Sequence, residues 1–145
     1  MRLPLNISES RNTATARSVS TYAGAGVSHL ALESRDIFAS ARRMREAGAA
    51  ILPMPPNYYE DLLARFGLPE DLLDEMRRHD ILYDRQGEGE LFHFYTMPFE
   101  DRFFFEIVER RGGYDLYGAA NAPVRLAALQ QARAGVAAGP RGRLS

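Results

Sequence analysis

The 145-residue chain contains no cysteine. That excludes disulfides, thiolate metal sites and cysteine nucleophiles, and it fits a cytoplasmic protein. No apolar run approaches membrane-spanning length, and Met1-Arg2-Leu3-Pro4 carries no signal-peptide pattern. A cytoplasmic location with no membrane partner is therefore expected. A basic face is also missing. The 18 basic residues are balanced by 19 acidic ones, and arginines alternate with Asp and Glu, so no nucleic-acid partner is expected. What is present describes an ordinary globular chain: 46% hydrophobic, 10% aromatic and a net charge of −1. This length supports one domain with one core.

Two strand-like segments each set one metal-capable side chain among apolar neighbours. They are Gly26-Val27-Ser28-His29-Leu30-Ala31-Leu32 and Arg102-Phe103-Phe104-Phe105-Glu106-Ile107-Val108-Glu109-Arg110. An ionised carboxylate left unpaired in the second would cost several kcal/mol, on the order of a large share of a domain's stability. Glu106 therefore needs a cation or a set of hydrogen-bond donors. An imidazole beside it would make two thirds of a two-histidine, one-carboxylate site.

The pattern around these segments predicts α+β architecture. Ser8 to Ser20 is a polar stretch, either a surface loop or a poor helix. The strand Val27–Leu32 leads to a helix capped by Asp36 and stopped by Gly48. A second short strand is expected at Ala49–Leu52, with Pro53, Pro55 and Pro56 forcing an extended exit. Asn57 and Glu60 suggest a variant capping box for a helix of about 58–66, and Pro69 opens another. Ile81–Asp84 and Leu91–Thr96 read as strands joined around Gly87-Glu88-Gly89, followed by the last strand at Arg102–Glu109. Pro123 opens a helix through about Ala134, and residues 135–145 read as a disordered tail. With the two helical inserts and one hairpin strand set aside, the order is βαβββ. Such a unit gives a mixed, curved sheet with helix on one face. Its concave face needs a cover, so pairing with a second similar unit is expected.

Alternation along strands puts His29 with Val27 and Ala31, Glu106 with Phe104 and Val108, and His93 with Leu91 and Tyr95. Each candidate has a plain structural alternative. A lone histidine in an apolar strand is often a satisfied core residue, and Glu106 could pair with Arg102 or Arg125. His79, in Arg77-Arg78-His79-Asp80, suits a helix C-terminus. The tract 112–123 is either a loop over a pocket mouth or a packed connection. Pro55-Pro56-Asn57-Tyr58-Tyr59 is either a rigid aromatic wall or a helix start packed by aromatics.

Four ordered motifs resemble the C-terminal half of 4-hydroxyphenylpyruvate dioxygenase, of the vicinal oxygen chelate superfamily. They are Gly26 to Leu32, Asn57-Tyr58-Tyr59, Leu91-Phe92-His93-Phe94-Tyr95-Thr96 and Phe104 to Arg110. Ser10-Arg11-Asn12-Thr13-Ala14 and Gly113 to Arg125 resemble a side branch, the dioxygenase-like C-terminal domain of bacterial two-domain 3-dehydroshikimate dehydratases. The resemblance implies a βαβββ vicinal oxygen chelate (glyoxalase/dioxygenase-like) module at residues 24–134, preceded by a remnant of another module and linker at 1–23. It implies that His29 and Glu106 stand at two of three metal-ligand positions. His93, where the dioxygenases carry a pocket glutamine, becomes a third ligand or a pocket residue.

By the same resemblance Asn6, Phe104, Tyr95, Tyr117 and Asn121 line a substrate pocket for a small aromatic or keto acid. The metal would be Fe(II) by family, with Mg(II), Mn(II) or Co(II) also compatible with such ligands. The final aromatic of the dioxygenases' Gly-Phe-Gly-x-Gly-Asn-Phe tract is Ala122 here. The family's other histidine ligand belongs to the preceding module, whose closing strand Leu3-Pro4-Leu5-Asn6 resembles. The chain is thus expected to begin mid-protein and to need a missing N-terminal module or a homodimer. Three functions follow. The first is a divalent-metal-binding, catalytically incomplete module of a dehydratase-type protein of aromatic catabolism. The second is a 4-hydroxyphenylpyruvate dioxygenase completed by a partner chain, and the third is a structural dimerisation module without metal. The chain alone is not expected to turn over 4-hydroxyphenylpyruvate.

Overall fold

Helix boundaries follow local side-chain chemistry in the computed structural model, which describes residues 9, 13–100 and 102–137. The polar stretch is a helix, α1 (Ala14–Tyr22), because Thr13 Oγ1 accepts the Ala16 N–H at 3.1 Å. Asp36 does the same for α2 (Ile37–Glu46), accepting from Ala39 N at 2.9 Å. Asn57 does not form the expected capping box: it is the first residue of α3 (Asn57–Phe66), whose opening N–H groups bond Pro55 and Pro56 carbonyls. Gly67, at φ 61°, ends α3, and α4 (Glu70–His79) follows. Glu70 and Asp71 at its start and Arg77 and Arg78 at its end complement its dipole. The last helix, α5 (Ala122–Ala137), follows a 3-10 turn at Ala119–Asn121. Residues 135–137, expected to belong to a tail, are part of this helix, and residues 138–145 lie outside the described residues.

Four strands make one mixed sheet: β1 (His29–Glu33), β2 (Leu82–Gln86), β3 (Gly89–Tyr95) and β4 (Phe104–Arg111), in the order β1-β4-β3-β2. β2 and β3 form a hairpin that opposes Gln86 to Gly89, with Gly87 at φ 59° in the turn. β4 is antiparallel to β3 and parallel to β1, which puts Phe104 opposite His29 and Glu106 opposite both Ala31 and Tyr95. The architecture is α+β, βαβββ with α3 and α4 inserted, as the sequence pattern predicts.

One expected strand is not there. Ala49–Leu52 makes only an isolated bridge, Ile51 to Thr96, so the three later strands of the unit are β2, β3 and β4. Leu52 N and Met97 N still bond across it, but Pro53 has no N–H to extend the ladder.

The helix face of the sheet carries the main core, in which Ile37, Leu62, Met76, Phe92 and Phe94 are fully buried. The other face differs from the expectation of an open surface awaiting a second unit. The tract after β4 and the start of α5 fold across it, leaving His93, Tyr95 and Phe104 buried. What stays open is the outer edge of the sheet. On β1, Leu30 and Leu32 are 48% and 49% exposed, and no strand pairs beyond it among the described residues.

Candidate functional site

The register of β1, β4 and β3 converges three titratable side chains on the covered face. His93 Nδ1 lies 2.7 Å from Glu106 Oε1, and His29 Nε2 lies 3.4 Å from Glu106 Oε2. The His29 ring stacks on Phe104, with centroids 5.0 Å apart and planes 7° from parallel. Neither alternative partner reaches the carboxylate: among the described residues no arginine forms an ion pair with Glu106. Arg102 lies over the Tyr22 ring, and Arg125 lies 4.7 Å from the centre of Phe104 and 5.5 Å from that of Tyr95. Burial by itself would raise the Glu106 carboxyl. The hydrogen bonds from His29 and His93 outweigh it and bring the group down to about 2, so Glu106 is a carboxylate at neutral pH. The Tyr95 hydroxyl is pushed the other way, above its ordinary range, by burial and then by the charge of Glu106.

A second set of contacts fixes the state of His93. Asn121 Nδ2 donates to the Tyr83 carbonyl at 2.9 Å and lies 2.9 Å from His93 Nε2. Its Oδ1 accepts from the Tyr58 hydroxyl at 3.0 Å, which in turn accepts from Tyr83 N at 2.8 Å. Turning the amide over would set its oxygen against the Tyr83 carbonyl oxygen, so the NH2 group must face His93. Nε2 of His93 is then the acceptor, and the ring proton sits on Nδ1 and points at Glu106. His93 is fully buried, and both of its nitrogens have protein partners. In this arrangement it has no lone pair for a metal, and it serves as a pocket residue that holds Glu106.

The chemistry left for a cation is the pair His29 Nε2 and Glu106 Oε2. Ligand bonds of about 2.0–2.2 Å at angles between octahedral and tetrahedral place two donors about 2.8–3.6 Å apart. Their 3.4 Å separation matches that spacing. His29 is also the partly exposed member of the three, so the pair faces an approachable side. Two donors do not complete a site: among the described residues no group of three His, Cys, Asp or Glu side chains is arranged to hold a metal ion.

The remaining expected pocket residues divide. Phe104 and Tyr95 wall the histidine pair. Asn121 is buried and fully hydrogen-bonded within the protein, so it supports His93 rather than presenting to a ligand. Tyr117 is largely exposed. Asn6 lies outside the described residues. His79 closes α4 with its ring edge toward Phe38, and its pKa is lowered by burial and then by Arg45 and Arg42. Sequence reasoning named Tyr58 as part of an aromatic wall or helix start but missed the contacts of its hydroxyl with Asn121 and Tyr83. A tyrosine in an apolar helix needs a partner for its hydroxyl, and that was the one available signal.

No family model matches the chain. Over 137 residues it is 59% identical to a 3-dehydroshikimate dehydratase of Pseudomonas aeruginosa, and over 141 residues 54% identical to one of Pseudomonas putida. The matches cover 94% and 97% of the chain but only 22% of each relative, so the chain spans about a fifth of their length. A 4-hydroxyphenylpyruvate dioxygenase of Arabidopsis thaliana is 42% identical over 98 residues, which is 61% of the chain and 22% of that relative. Among solved structures, a xylose isomerase-like TIM barrel/4-hydroxyphenylpyruvate dioxygenase fusion protein superposes with a TM-score of 0.78 at 54% identity. The match covers 90% of this chain and 21% of that one. A variant of 4-hydroxymandelate synthase from Streptomyces coelicolor gives 0.70 at 30% identity, covering 81% and 34%. Fold and sequence together make the chain a 4-hydroxyphenylpyruvate dioxygenase-like module of the vicinal oxygen chelate superfamily. Within that class it is similar to a segment of the 3-dehydroshikimate dehydratases.

Proposed function

We propose that the chain is a divalent-cation-binding, dioxygenase-like module that works as part of a 3-dehydroshikimate dehydratase-type protein of aromatic catabolism. The observation that carries this reading is the ionised, buried Glu106 carboxylate with His29 Nε2 at ligand-to-ligand distance from it. His29 and Glu106 would hold the ion, and a third donor would come from a preceding module or a second copy. The bound ion would supply a Lewis-acid centre, and Fe(II) is the metal implied by the likeness to 4-hydroxyphenylpyruvate dioxygenases, with Mn(II), Co(II) or Mg(II) able to replace it in a binding assay.

The surroundings favour an anionic organic ligand beside that ion. Among the described residues Arg125 has no carboxylate at ion-pair distance; its guanidinium lies over Phe104, the ring on which His29 stacks. A planar cation next to two aromatic walls is suited to the carboxylate of a small aromatic or keto acid. With two protein donors the chain would not position an oxidisable substrate on its own, so the dioxygenase reading needs the missing third ligand.

Titration of the full chain with Mn(II), followed by electron paramagnetic resonance, is expected to show one bound ion per chain. Binding should weaken at least about 100-fold in Glu106→Gln, which keeps the shape and removes the charge. Equal Mn(II) affinity in the two proteins, or none in either, would overturn the metal-binding reading.

A further inference from the structure

We propose that Tyr58, Asn121 and His93 form a positioning relay that fixes Glu106 by one oxygen and leaves only the other for a cation. This deepens the metal-binding reading above and rests on it, but the relay also makes a statement about the metal-free protein. The relay starts at the backbone. Tyr83 offers its N–H to the Tyr58 hydroxyl and its carbonyl to Asn121 Nδ2, so β2 clamps both side chains. Asn121 then directs an N–H to His93 Nε2, and His93 Nδ1–H meets Glu106 Oε1. Four elements contribute: Tyr58 from α3, Asn121 from the 3-10 turn, His93 from β3 and Glu106 from β4.

Each contact in this path sets a donor against an acceptor, the Asn121 amide nitrogen directing one N–H to the Tyr83 carbonyl and the other to His93 Nε2, and all four residues are buried. A fixed path of this kind removes rotational freedom from the carboxylate. With Oε1 engaged by His93, Oε2 is held on the side of His29, and a shared ion would be bound through one carboxylate oxygen. A histidine here is not a spare ligand. It takes the place of an outer hydrogen-bond donor, the role that orients metal-ligating carboxylates generally.

Two independent measurements test the proposal on the full chain. In the metal-free protein, 15N chemical shifts of the His93 ring are expected to show Nδ1 protonated and Nε2 bare. Asn121→Leu should abolish that single tautomer. A wild-type ring protonated at Nε2 would overturn the relay whatever the metal does. Mn(II) affinity is the second readout. His93→Leu, which has no donor, should bind about 10–100-fold more weakly than wild type. His93→Asn, whose amide nitrogen can occupy the Nδ1 position, should recover most of that loss. Equal, near-complete loss in both variants would identify His93 as a ligand and overturn its positioning role. No Mn(II) binding by wild type with the expected tautomer present would overturn the metal-binding reading and leave the relay as a purely structural device, contrary to the proposal.

Discussion

Replacing Gly118 by alanine is expected to destabilise the chain by about 2–4 kcal/mol. Gly118 sits at φ +61°, a conformation that favours glycine over residues bearing a Cβ. An added Cβ would lie 2.7 Å from Leu91 Cδ2 and 3.2 Å from His93 Cε1. The leucine tip could move in an open site, but Leu91 is fully buried, and the His93 ring is tied by hydrogen bonds at both nitrogens. The loop cannot simply back away either. Gly118 N donates to the Tyr114 hydroxyl, which donates to Asp84 at 2.6 Å and so anchors the tract to β2. Urea unfolding should show a lower midpoint at unchanged slope. A shift worth less than about 0.5 kcal/mol would mean that the tract does not press on His93 as described.

That loop shows where sequence reading ends. The tract 112–123 was legible as something other than a random linker, but a pocket cover and a packed connection were equally consistent with its composition. Only the fold places Asn121 against His93, 28 residues away, and Tyr58 against Asn121, 63 residues away. Spacing rules act over one or two turns of a helix or along one strand, so neither contact leaves a local signature. Local signals did hold where the physics is local. Asp36 caps α2, Gly67 ends α3, and alternation put His29, His93 and Glu106 on one sheet face. The Ala49–Leu52 segment failed for a non-local reason. Its apolar run suits a strand, yet just one bridge to Thr96 fits before the prolines end it.

The same limit explains the reading of His93. From sequence it looked like an extra imidazole near a metal, because residue type and parity are all that a strand pattern reports. Ligand capacity depends on which lone pairs are free. Here the orientation of one amide, set by the Tyr83 carbonyl, decides it. The uncovered face was misjudged in a similar way. The segment from Pro123 to about Ala134 was read as a helix, but not as the cover for Tyr95 and Phe104. Two of the residues that do stay exposed, Leu30 and Leu32, lie on the open edge strand instead. That edge is where a preceding module or a second copy would have unpaired backbone groups to bond.

Acid should remove a defined part of the stability, and Glu106 should be its main source. In the folded chain this carboxyl is held down to about 2 from an ordinary 4.5. Burial opposes ionisation, so the lowering reflects the strength of the histidine hydrogen bonds. A group with a depressed folded pKa contributes its stability in full above the unfolded value. The contribution then fades as pH falls through the interval between the two values. At about 1.4 kcal/mol per pH unit, the interval from 4.5 to about 2 corresponds to about 3 kcal/mol. Wild-type stability should therefore decline steadily from about pH 4.5 toward pH 2. Glutamine at position 106 has no proton to take up and can still accept from His93 Nδ1 through its amide oxygen. Glu106→Gln should start less stable at neutral pH and lose less on acidification, so the two curves should converge near pH 2. Urea midpoints measured at half-unit steps between pH 6 and pH 2 would show this convergence. Parallel curves, with the same decline in both proteins, would place the acid-sensitive stability elsewhere and would show that the histidines do not hold Glu106 as the distances indicate.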